Sequence, residues 1–148
     1  MQTSQVAVDA SFLLKLFLPE DSSDQVESQW RSWVEDSIEV IAPTLIVFEA
    51  SSVLKNKVFR GILDEADASE MIDKMGHLEI SLVYTREFIE MAWEIATTLK
   101  APSLYDSYYL AVAKFFGTPL WTADEKLFKS AQRHFPFVHK IQKDGIRP

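Results

Sequence analysis

The segment Gln5-Val6-Ala7-Val8-Asp9-Ala10-Ser11 constrains the fold more than any other stretch of the chain. A short apolar run with β-branched residues leads straight into a carboxylate. No polar residue alternates with the apolar ones, so neither face of the segment is meant for water. That is the pattern of a strand buried on both sides in a parallel sheet. In open α/β sheets, ligands bind just outside the carboxyl ends of the strands. Asp9 stands at that position.

The remaining chain alternates helical and strand patterns. Ser11 is the expected N-cap of a helix that stops at Pro19. After the polar connection 20–24, a second helix turns Val26, Trp30, Trp33 and Val34 inward. Residues 38–42 read as a strand stopped by Pro43, and Thr44 caps a helix running to about Arg60, with Gly61 just past its end. Asp64 to Met75 is a helix with Ala68, Met71, Ile72 and Met75 inward, stopped by Gly76. A third strand covers 80–83. Thr85 caps a helix over 86–99 whose inner face holds Phe88, Ile89, Ala92, Trp93 and Ala96. Pro102 and Ser103 open a helix over 104–116, closed by Gly117. A strand over 119–121, a helix over 124–133 and a strand over 137–141 complete the chain. Residues 1–148 therefore read as one domain of α/β class. The expected architecture is a three-layer α/β/α sandwich around a mainly parallel sheet of about five strands.

Composition narrows the function classes. The chain has 148 residues, enough for a core of its own. No apolar run approaches the roughly 20 residues that span a bilayer, and Met1-Gln2-Thr3-Ser4 lacks the basic region of a secretory signal, so the expected location is the cytoplasm, with no membrane contact. With no cysteine, disulfides, thiolate metal sites and thiol catalysis are excluded. A net charge of −7 excludes a general basic coat for nucleic acid. Either the chain does not touch nucleic acid, or contact is local and a metal cation offsets its acids.

Four carboxylates fall where this architecture gathers side chains: Asp9, Glu49, Asp106 and Asp124. Asp9 ends the first strand, and on its own it could simply hold a turn. Ser103-x-x-Asp106 has capping-box spacing. Asp124 follows Leu120-Trp121-Thr122 and could cap the next helix, or Thr122 and Glu125 could do so. Glu49 is harder to explain structurally. It lies among Leu45, Ile46, Val47, Phe48 and Ala50, where an unpaired carboxylate costs several kcal/mol. Converging carboxylates raise one another's proton affinity, and a hard divalent cation removes that repulsion. An oxygen-only donor set suits Mg²⁺ or Mn²⁺ rather than zinc. A metal held by carboxylates with open water positions is apparatus for phosphodiester hydrolysis.

The chain resembles PIN-domain nucleases, specifically the VapC toxin type. The matching residues are Val8-Asp9-Ala10-Ser11, Pro43 to Glu49, Tyr105-Asp106-Ser107-Tyr108-Tyr109-Leu110-Ala111-Val112-Ala113 and Thr122-Ala123-Asp124-Glu125-Lys126-Leu127. They occur in the family's order over nearly the whole length. The resemblance implies Asp9, Glu49, Asp106 and Asp124 as the metal site, with Ser11 and Thr122 as supporting hydroxyls. It also implies a Mg²⁺-dependent endoribonuclease, a homodimer, and a VapB-type antitoxin that enters the active-site groove. In some relatives the fourth acid, here Asp124, matters less. On this reading Asp9 and Asp106 ligate the metal most directly, and Glu49 and Asp124 complete the shell or hold its waters. The rim lysines and arginine Lys15, Lys55, Lys57, Arg60, Lys126 and Lys129 are the candidates for RNA backbone contact.

Other residues read as structural. His77, His134 and His139 sit beside no carboxylate motif. The Trp30/Trp33 and Tyr108/Tyr109 pairs have the spacing of core or dimer packing, ahead of base stacking, and Val53, Leu54, Val58 and Phe59 are either ordinary core or a groove for a partner helix. Among rival functions, an aspartyl-phosphate enzyme of dehalogenase type needs a second Asp where Ser11 stands. A receiver domain needs paired acids and a late lysine that cannot be placed. The remaining alternative is a catalytically silent domain of this fold that binds RNA or protein, against which the presence of all four acids speaks.

Overall fold

The computed structural model describes residues 4–141. Strand β1 (Gln5–Val8) sits at the centre of a five-stranded sheet ordered β3-β2-β1-β4-β5, with β2 at Glu39–Pro43, β3 at Ile80–Val83, β4 at Leu120–Thr122 and β5 at Val138–Lys140. Every pairing is parallel. Among the described residues, seven helices connect and cover the strands: α1 (Ala10–Leu14), α2 (Ser23–Glu35), α3 (Leu45–Phe59), α4 (Glu65–Met75), α5 (Glu87–Leu99), α6 (Tyr105–Phe116) and α7 (Glu125–Ala131). The sheet is thus wholly parallel, and every element expected from the sequence is present within a few residues of its expected ends. Among the described residues, no helix is long and apolar enough to cross a membrane.

Chain direction explains the layering. From β1 the chain steps outward through β2 to β3, then returns past β1 to β4 and β5. Right-handed crossovers in opposite directions place their helices on opposite faces of a sheet. The α5–α6 pair, joined in the crossover back to β4, therefore covers the face opposite the helices of the first two crossovers. Val6, Ala7 and Val8 are buried from both sides, as their unbroken apolar run requires. Phe12 stacks on Trp33 at a ring separation of 5.3 Å, and Trp33 meets Trp121 edge-on, tying α1, α2 and β4 together. The tryptophan pair is core packing.

The order reverses between β1 and β4. Val8 lies opposite Trp121, so the next residue on each strand, Asp9 and Thr122, emerges side by side at the carboxyl ends. The structure thereby builds a switch-point crevice where α/β sheets place their ligands.

Several local expectations are corrected. The N-cap of α1 is Asp9, not Ser11: its carboxylate accepts the Phe12 amide, in an extended conformation that a short acid three residues before that amide favours. Thr44 precedes α3 in helical conformation and makes no side-chain cap, and Thr85 offers only its carbonyl, to Phe88. Gly76 has φ −66°, whereas Gly61 and Gly117 take the left-handed conformation that favours glycine past a helix end. Val34, Ile72 and Trp93 are exposed, Trp93 by 65%. Each lies on an apolar stripe wider than the surface its helix rests on. Leu54 is core while Val53 and Phe59 face solvent, so the four residues considered as one groove diverge around the helix.

Candidate active site

Asp9 is the most buried of the four acids, at 4% exposure. One carboxylate oxygen accepts the Phe12 amide at 2.9 Å and the Ser11 hydroxyl at 2.7 Å. The other accepts the hydroxyl of Thr122 across the strand boundary. Thr122 in turn accepts the Asp124 amide at 3.0 Å, and Ser11 accepts the Ala123 amide at 3.0 Å. The two supporting hydroxyls therefore fix Asp9 to both strand ends at once. All these donors are uncharged. Burial pushes the Asp9 carboxyl up to about 6; the three hydrogen bonds pull it down, and the neighbouring Asp124 charge adds to the rise.

Glu49 projects from the second turn of α3 and is half-buried. Its Oε1 accepts the phenol of Tyr109. Desolvation raises its proton affinity, the tyrosine bond opposes that, and the charge of Asp106 raises it further. Asp106 occupies the first turn of α6, open to solvent at the mouth of the crevice. Partial desolvation and then repulsion from Asp124 raise its affinity, against a lowering by Lys126. The capping-box reading of Asp106 fails, because the N-cap of α6 is Leu104 and no side chain caps the helix. Asp124 does cap α7, accepting the amides of Lys126 and Leu127 at 2.9 and 3.1 Å through one oxygen. Glu125 pairs instead with Lys140 and Lys129. Capping and a place beside the other acids thus coexist in Asp124.

Tyr109 is the residue that sequence reasoning assigned to packing ahead of base stacking, with no part in the acid site. It is 1% exposed, one turn along α6 from Asp106 and on the same face. Burial, its bond to Glu49, and the charges of Glu49, Asp9 and Asp106 all raise its proton affinity, so the phenol stays protonated and donates. The signal was the Asp106/Tyr109 spacing at i, i+3. The histidines stay outside this group: all three are exposed, His77 bonds the Asp73 carbonyl and His139 stacks on Trp121.

Mutual electrostatic influence therefore links the acids in a row, Glu49 to Asp106 to Asp124 to Asp9. Among the described residues, no three acidic or histidine side chains close into a ready-made metal cage. The donor chemistry fits a small hard cation all the same. Mg²⁺ keeps several of its waters and takes only one or two carboxylates directly, and Asp9, Glu49 and Asp106 each have proton affinity raised first by burial and then by a neighbouring acid's charge, which a cation would offset.

The chain belongs to the PIN-domain family, whose model matches residues 6–133, a span that contains all four acids. Among its relatives is ribonuclease VapC3 of Pyrobaculum aerophilum, 29% identical over 125 residues that cover 83% of this chain and 92% of that protein. VapC20 of Mycobacterium tuberculosis, described as a toxin cleaving the sarcin-ricin loop, shares the fold: TM-score 0.66 and 16% identity, over 97% of this chain and 99% of that one. A toxin–antitoxin complex from Klebsiella pneumoniae contains a chain with TM-score 0.63 and 15% identity, over 93% of this chain and 98% of its own.

Proposed function

We propose that this chain is a Mg²⁺-dependent endoribonuclease, with Mn²⁺ as a substitute, and the toxin of a toxin–antitoxin pair. The observation that carries the reading is the row of four acids at the switch point, three of them with raised proton affinity. Membership of a family whose relatives include a VapC ribonuclease supports it. The fold shared with a chain of a toxin–antitoxin complex supports an antitoxin partner. A homodimer belongs to the same reading.

Asp9, Glu49, Asp106 and Asp124 would hold the cation. When bound, such an ion orients and acidifies water and offsets charge on the scissile phosphate. Ser11 and Thr122 keep both Asp9 oxygens aimed along the strand ends. Tyr109 fixes the Glu49 carboxylate and, by donating to it, favours its ionised form. Lys126 stands beside Asp106 at the mouth, where it can meet a phosphate. No side-chain nucleophile is required.

The purified chain is expected to cut single-stranded or structured RNA with Mg²⁺ or Mn²⁺ and to stop when EDTA is added. Cleavage that survives EDTA would refute the metal reading.

A further inference from the structure

We propose that Lys15 and Lys57 form a phosphate-binding subsite for the RNA strand, which the Glu20 carboxylate occupies when RNA is absent. This deepens, and rests on, the ribonuclease reading.

The two lysines come from the two helices that serve the acid site. Lys15 ends α1 one turn beyond Ser11, and Lys57 lies two turns beyond Glu49 on the ridge Glu49-Val53-Lys57 of α3. Helices α1 and α3 pack against each other. The lysines thus stand along that seam, Lys57 about 12 Å from Glu49 by helical rise. A flanking phosphate reaches this distance; the scissile one does not.

Their environment is unlike that of the other ion-paired helix lysines. The Lys15 and Lys57 side chains are 18% and 22% exposed, while Lys74 and Lys129 are well over half exposed. One carboxylate serves both: Glu20 Oε1 lies 3.4 Å from Lys15 Nζ, and Oε2 lies 3.4 Å from Lys57 Nζ. Strong charge-assisted bonds are about 2.7–2.9 Å, so each contact is loose. Two ammonium groups converge on one carboxylate in a chain of net charge −7. A turn holds Glu20 in place, since its amide bonds the Ser23 hydroxyl, which bonds the Leu18 carbonyl. A loose, partly exposed pair contributes little stability, yet two long side chains are kept converged. A phosphodiester matches the carboxylate in charge and offers two free oxygens to the same two donors. It can therefore replace Glu20 without rebuilding the site.

The test is binding of a fluorescent single-stranded RNA oligonucleotide to the full chain in EDTA, read by anisotropy across a salt series. Lys15→Gln and Lys57→Gln are each expected to raise Kd on the order of fivefold and to flatten the log Kd against log salt slope by about 0.7. Arginine at either position restores binding, and Glu20→Gln lowers Kd below that of the unaltered chain. With Mn²⁺, the glutamine variants raise KM and leave kcat at saturation unchanged. Lysine variants that bind like the unaltered chain overturn the subsite, as does a Lys74→Gln control that weakens binding equally or a Glu20→Gln variant that weakens it. If the unaltered chain binds and cuts RNA while these variants change nothing, the subsite alone is wrong. A chain that neither binds nor cuts removes the ribonuclease reading with it.

Discussion

Asp9→Asn should abolish RNA cleavage and, without metal, make the fold more stable. Asp9 is nearly fully buried, and its carboxyl is pushed from 3.8 to about 6. A carboxyl raised in the folded state gives stability that is complete below 3.8 and lost as pH rises through about 6. Above that, the buried charge costs about 3 kcal/mol, from a shift of about two units at 1.36 kcal/mol each. Asparagine removes the charge and keeps most of the geometry. Its oxygen can still accept from Phe12 and Ser11, and its amide can donate to Thr122, whose hydroxyl then turns toward Ser11 at 3.2 Å. At pH 8 in EDTA the variant should melt on the order of 5–10 °C higher in a domain of this size. The gain should shrink as pH falls through 6 and vanish near 4. Glu39 cannot imitate this window. Bonds from Gln5 and Ser81 hold its carboxyl below 4.5, so its contribution is present above that value and is lost only at lower pH. Calorimetric melts across pH 4 to 8 check the reasoning. A variant less stable than the unaltered chain at pH 8, or a gain independent of pH, would refute it.

Titration calorimetry with Mn²⁺ should show binding that disappears in Asp9→Asn; unchanged binding would move the metal elsewhere. Asp106→Asn should eliminate cleavage with no loss of stability, because Asp106 caps nothing; thermal melts and an RNA cleavage assay read both. Asp124→Ala should lower stability by about 1 kcal/mol through its lost cap, while Asp124→Asn keeps the cap. Comparing the two by urea denaturation separates capping from any effect on cleavage. Tyr109→Phe removes a bond that lowers the Glu49 carboxyl, so the acid limb of the pH–rate profile should move to higher pH; an unmoved limb would strip Tyr109 of its positioning role.

Local signals in the chain were enough for the element order and for the positions of the acids. A buried strand of Val6, Ala7 and Val8 declares itself by the absence of alternation, and Asp9 by what it follows. Glu49 stands out because its neighbours in sequence are apolar. Facing partners are another matter. Periodicity finds the apolar stripe of a helix but not the surface it meets, so Trp93 and Ile72 look like core and are exposed. Capping spacing cannot separate Asp106, which caps nothing, from Asp124, which caps α7. The bond from Tyr109 to Glu49, 60 residues away, and the grip of Thr122 on Asp9 depend on strand register and on how α3 and α6 meet at the crevice. Packing over the whole molecule decides such contacts, and no window of sequence contains it. The residue types needed for the site are written locally, whereas their convergence is a property of the tertiary structure alone.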